Sequence, residues 1–247
     1  MKMPGLNTVG SRTACRRLAA EASAVTRARR LNLREIEGTL AQTKAQWGRI
    51  EQDLRDHGIG TRDAAFDDGL MQRMLSAYEL LDHFLANDVD IFAPDQLQHL
   101  CTLNERVHYG KDSSLCDEYR QAILVNRRKF RTRIPAVYTW YQRQKGSASS
   151  GKVASKVFVS ILGMPQVFIE GNHRTAALIA SWINVRCGRP PFVLSPSNVL
   201  DFFYPCSQIK NFSARSDWRG RHQLPKYHKA FKTFWVSQTD SGWRFLD

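Results

Sequence analysis

The stretch Met164–Leu178, MPQVFIEGNHRTAAL, decides how the rest of the chain is read. An acid (Glu170), a glycine (Gly171) and an amide (Asn172) stand directly ahead of a strongly apolar run, with Arg174 close behind. Glycine adopts backbone angles that other residues avoid, so successive N–H groups can turn into one concavity. Asn172 suits a helix N-cap, and the N–H groups of His173 to Thr175 then lie in a first turn that gives them no partner. Such a turn carries the positive end of the helix dipole, and Arg174 adds a planar donor fork suited to phosphate. The arrangement predicts an anion cradle, with Glu170 as the carboxylate for a Mg²⁺ bridging to the bound phosphate. Singly, Glu170 and Asn172 would equally suit a plain loop end and a helix cap. Their order before an apolar helix favours the cradle.

Working outward, a helix is predicted from His173 to about Cys187, apolar on nearly every face from Ala176 to Val185. Gly188 suits its C-terminal cap and Pro190-Pro191 prevent continuation, so this helix belongs at the centre of a bundle. Upstream, helix is expected from near Val153 to Leu162. A single helix is expected from Leu33 to Leu54, with Ile36, Leu40, Trp47, Ile50 and Leu54 on one stripe and Gly58 and Gly60 ending it. Another is expected from about Asp68 to Ala86, and a third with Pro94 at its first position and Gly110 as terminator. The segment RRKFRTRIPAVYTWY (127–141) is rich in β-branched and aromatic residues around Pro135 and predicts a short exposed hairpin. The expected fold is mainly α, a helical bundle with a short β-hairpin flap. Its divisions are a basic leader (1–32), an N-terminal helical region (33–69), a core domain (70–210) and a basic C-terminal extension (211–247).

Among the 247 residues, 43% are hydrophobic and 24% charged, an ordinary balance for a globular chain. No stretch approaches the ~18 consecutive apolar residues of a membrane span, and no secretory signal is seen. Five cysteines lie far apart without CxxC spacing, which argues against a disulfide framework or a zinc site and for a reducing compartment. The cytoplasm is the default expectation. The net charge of +13 collects at Arg12 to Arg34, Arg127 to Arg133 and Lys210 to Lys232. That field draws nucleotides, nucleic acid, acidic proteins and anionic membranes alike, and for the ends of the chain a solubilising surface is an equal alternative.

At Phe168, Glu170, Gly171, Asn172 and Arg174 the motif resembles the Fic/Doc (Fido) family, whose signature is His-Pro-Phe-x-(Asp/Glu)-Gly-Asn-Gly-Arg-x-x-Arg. The resemblance covers roughly residues 70 to 205. It implies a Fic-type helical bundle whose flap hairpin docks a target protein, through Arg131, Arg133 and Tyr138 here. It also implies ATP or another nucleotide, held by Gly171, Asn172, His173 and Arg174, with Mg²⁺ on Glu170. In the family, the motif's histidine deprotonates a target hydroxyl, which attacks the α-phosphate and receives AMP. Gln166 occupies that position, Val167 replaces the proline, His173 the second glycine and Ala177 the second arginine. A positioned base contributes ~10²- to 10⁴-fold in rate, and an amide cannot accept the proton.

His173 is the natural substitute base, whereas His108, His222 and His228 are too remote in sequence to place. Leu33–Leu40, LREIEGTL, further resembles the family's inhibitory helix, (Ser/Thr)-x-x-x-Glu-(Gly/Asn), matching at Glu37 and Gly38. The family's partner for that glutamate is the second motif arginine, here Ala177. The expectation is therefore a Fic-fold nucleotide-binding protein, a pseudoenzyme relative of AMP-transferring nucleotidyltransferases. The alternatives are a basic module gripping nucleic acid or an acidic protein, and an active transferase using His173.

Overall fold

Apolar residues spaced three and four apart along the sequence become the buried sides of helices. The computed structural model describes residues 30–60, 66–146, 148–215, 217–238 and 242–243. Most of the basic leader therefore lies outside the described residues. In chain order the helices are α1 (Leu33–Ala45), α2 (Trp47–Asp56), α3 (Asp68–Ala86), α4 (Gln98–Tyr109) and α5 (Ser113–Glu118). They continue with α6 (Arg120–Gln144), α7 (Ser150–Leu162), α8 (Asn172–Arg186), α9 (Val199–Ser213) and α10 (Trp218–Ser237). The fold is mainly helical. No helix of the described residues is long and apolar enough to cross a membrane.

Helix α8 is central, as its sequence implies: every residue from Thr175 to Val185 is buried. It packs most extensively against α7, with α4 and α3 on its other sides. Gly188 has a positive φ of 77° just beyond its end. Helix α10 packs on α9 and α7. Its Phe231 and Trp235 are fully buried in the same apolar cluster as α8, within the segment read as a C-terminal extension.

Three local expectations need correction. The helix beginning at Leu33 is broken at Gln46 into α1 and α2. Pro94 does not open α4, which starts at Gln98 after a series of turns. The flap hairpin is absent: residues 127–141 lie inside α6, a helix of 25 residues. Its buried positions, Ile123, Asn126, Phe130, Ile134, Val137 and Tyr141, recur every three or four residues and form one helical face. Pro135 removes one internal hydrogen bond, a change costing about 3 kcal/mol in a helix interior. Pro135 and Arg131 are both exposed, so water can reach the freed carbonyl, while the buried face holds the helix together.

Residues just before α1 are fixed. Arg30 grips Asp82 of α3 with Nε at 2.9 Å from Oδ1 and Nη2 at 2.7 Å from Oδ2, and Leu31 N donates to Oδ1 at 2.8 Å. The C-terminal side closes over the same place. Asn32 N donates to Trp243 O at 2.9 Å, and Trp243 Nε1 donates to Thr39 Oγ1 at 3.0 Å.

Candidate functional site

The turn between α7 and α8 carries the motif, and its backbone is held from two sides by buried amides. Asn126 of α6 accepts from Ile169 N at 2.9 Å and donates to Asn104 Oδ1 of α4 at 2.8 Å. Asn104 Nδ2 in turn donates to Glu170 O at 3.0 Å and to Thr175 Oγ1 at 2.9 Å. Asn172 accepts from Phe168 N at 2.9 Å and donates to Phe168 O at 3.0 Å, and Lys129 Nζ donates to that same carbonyl at 2.7 Å. Phe168 is fully buried and stacks on Phe130 with ring centroids 5.5 Å apart. Buried and mutually satisfied, these groups fix the loop's path rather than present themselves to a ligand.

Gly171 is the cap of α8, with φ 70° and ψ 12° in the left-handed region, and no side chain caps this N-terminus. Thr175 N donates to Gly171 O at 2.9 Å, closing the first turn. Asn172 is the first residue of the helix rather than its cap. A Cβ at position 171 would lie 2.5 Å from His108 Nε2 and 3.1 Å from Asn104 Nδ2. Backbone conformation and space therefore both require glycine there.

His108, which sequence spacing left unplaced, thus touches the loop. Burial lowers its pKa first, and the charge of Arg174 lowers it further, so the ring is neutral at pH 7. Arg174 is itself lowered to about 10, by burial first and then by the like charge of Arg73 on α3, with Glu170 opposing. Among the described residues no carboxylate forms a salt bridge with Arg174, and Glu170 is exposed. Two guanidiniums and an imidazole therefore gather beside an uncapped helix start with one nearby acid. The arrangement is short of negative charge.

Other motif residues are placed differently. Gln166 is half-buried, followed by the buried Val167 and Phe168. The His173 ring lies 6.0 Å from Phe203 of α9, a contact on another element than the His108 side of the loop. Ala177 is buried within α8, and Glu37 is exposed on α1, which packs against α3 and α2. Arg131 and Arg133 are exposed and Tyr138 half-buried on α6, where the helix offers no strand edge for a docked segment. A shallow cleft lined by Asp117, Arg120, Ile123, Leu124 and Arg127 shares no residue with the loop.

No group of three or more His, Cys, Asp or Glu that could hold a metal occurs among the described residues. A single exposed carboxylate at Glu170 fits a Mg²⁺ ion that keeps its waters and shares oxygens of a bound phosphate. Compared with known proteins, the chain matches no family model, no curated protein and no solved structure.

Proposed function

We propose that the start of α8 binds the phosphate of a nucleotide, as the Fic-like motif implies, and that ordinary AMP transfer is lost or weakened. The observation that carries this reading is the surplus of positive charge at Gly171: the like charges of Arg174 and Arg73 face one nearby acid, Glu170, with the neutral His108 ring beside them, where no side chain caps the helix N-terminus. A bound phosphate would supply the missing charge, accept backbone N–H groups and take the Arg174 fork. Glu170 would hold Mg²⁺, which when bound neutralises phosphate charge and polarises its oxygens. Gln166 orients a hydroxyl but takes no proton.

Calorimetry with ATP, ADP and inorganic phosphate, each with and without Mg²⁺, tests the proposal. Wild type should bind ATP, and Arg174→Ala should lose affinity by roughly ten- to a hundredfold, the worth of a hydrogen bond to a charged group. Glu170→Ala should weaken binding only when Mg²⁺ is present. Equal ATP affinity for wild type and Arg174→Ala removes the cradle. Inorganic phosphate binding as well as ATP would restrict the site to the phosphate alone.

A further inference from the structure

A second basic region lies on α9 and α10, the former touching the motif stretch where Met164 N donates to Ser213 Oγ at 2.9 Å. Residues 204–232 contain seven Lys and Arg against one acid, Asp217, and that acid is engaged as the cap of α10, accepting from Gly220 N at 2.9 Å. Three rings follow one another across the two helices. Tyr204 and Tyr227 have centroids 6.2 Å apart, and Tyr227 stacks on Phe212 at 5.5 Å. The row carries cations on its faces: Arg215 lies 5.5 Å from the Phe212 centroid, and Lys226 Nζ 5.9 Å from that of Tyr227. Tyr204 is 45% exposed and Trp218, at the start of α10, 64%. Trp218, His222, Lys226 and Lys229 are all exposed and follow one another at helical spacing, so they share one stripe of α10.

From this juxtaposition we infer that the outer face of α9 and α10 binds single-stranded nucleic acid, with bases stacking on exposed rings and phosphates meeting the lysines and arginines. Exposed rings set among lysines and arginines suit a ligand that brings flat apolar faces and negative charge together. Single strands offer both features at each nucleotide, and base–aromatic stacking tolerates any sequence. A duplex hides its base faces and would use only the charges. An anionic membrane calls for aliphatic side chains to enter it, whereas the exposed large apolar residues flanking the lysines here are rings, with Val236 alone at the far end. The inference does not depend on the motif loop.

The test is fluorescence anisotropy of the full chain with a labelled 20-nucleotide thymidine oligomer, a duplex of equal length, and vesicles containing phosphatidylserine. Wild type should prefer the single strand. Tyr204→Ala and Trp218→Ala should each weaken single-strand binding by roughly tenfold with the salt slope unchanged. Tyr204→Phe should retain it, with matching thermal unfolding as the check on folding. Lys226→Gln with Lys229→Gln should instead reduce the slope of log K against log salt by about 1.4, at ~0.7 per lost phosphate contact. Equal affinity for duplex and single strand, unaffected by the two aromatic substitutions, overturns the proposal in favour of unspecific attraction. So does binding confined to the vesicles, or none to the oligomer at low salt.

Discussion

Cations at the motif loop and cations on the outer face of α9 and α10 live in opposite settings. At the loop, Arg174 is drawn into the protein, where burial first and then the like charge of Arg73 lower its pKa, and the neutral His108 beside it is lowered by burial and by Arg174. Buried amides from α4 and α6 hold the backbone beside them. On α10, Lys226 and Lys229 stand in water, and the neighbouring rings are the ordered feature. The difference teaches that the number of charges does not define a site. Burial turns a cation into a demand for a counter-charge at one place, whereas an exposed surplus attracts any anion and fades with salt.

The largest effect should come from breaking the loop's geometry. Gly171→Ala forces a Cβ into a left-handed conformation and against His108 Nε2 at 2.5 Å. About 1–2 kcal/mol for the backbone and a similar amount for the clash give a loss of ~3 kcal/mol in urea unfolding. Adding His108→Ala should return the clash portion and leave the backbone portion. A loss under ~1 kcal/mol in the single variant would mean that the loop is not clamped as described.

Next comes acid. Burial first, then Lys156, pushes His228 of α10 down to about 4 from its usual 6.5. Its folded pKa lies below its unfolded one, so as pH falls the unfolded chain takes the proton first. Stability should be constant above 6.5 from this group and decline between 6.5 and 4, by about 1–2 kcal/mol once solvent screening of this partly exposed ring is allowed for. His108 contributes in the same direction at the loop. His228→Gln should flatten most of the decline, and bound phosphate should counter only the His108 share. An unchanged pH profile in His228→Gln would show that this ring is not the acid-sensitive group.

These two histidines also mark where sequence reading stops. Helix α8 was legible because burial on all sides leaves an apolar record at nearly every position, with Gly188 at the expected end. Helix α6 was not, although its three-and-four spacing was present. Asn126 interrupts the apolar face with a residue used for hydrogen bonding, and Pro135 with its β-branched neighbours suggested a hairpin. Burial of Phe130, Ile134 and Val137 overrides those local preferences. Gly171 and Arg174 could be named from the motif. Arg73 and His108 could not, because only the packing of α3 and α4 brings them to the loop. Asn172 was visible as a motif residue, but its turn back onto Phe168 depends on backbone path.

A comparable effect separates the loop's supports from its cations. Asn126→Ala leaves the Ile169 N–H and Asn104 Oδ1 without their partners, at a cost of about 2 kcal/mol. Arg174→Ala removes a cation whose burial is already unfavourable, so its stability should stay within ~0.5 kcal/mol of wild type. Thermal unfolding of the two variants side by side checks the contrast. Equal losses would mean that Arg174 supports the fold, which would undercut its assignment to a ligand.

The smallest change in stability, and the sharpest question of chemistry, belongs to Gln166→His. Gln166 is half-buried at the edge of the loop, so the substitution should alter unfolding by less than ~0.5 kcal/mol. If the loop already holds nucleotide phosphate, a base at this position restores proton removal, and alignment that is already in place makes even an imperfect base effective. The measurement is label transfer from α-labelled ATP to protein, with negligible transfer expected for wild type and a detectable, partial gain for Gln166→His. Ala177→Arg is a poor companion, because Ala177 is buried inside α8 and a guanidinium there would disturb the core that supports the loop. His108→Ala and His173→Ala in the wild-type background are the informative controls. Robust wild-type labelling abolished by His108→Ala would place the base on α4, while loss in His173→Ala would place it on the motif, and either result would end the reading of an inactive site. No transfer by Gln166→His, with ATP still bound, would show that the reacting hydroxyl has no place to sit beside residue 166.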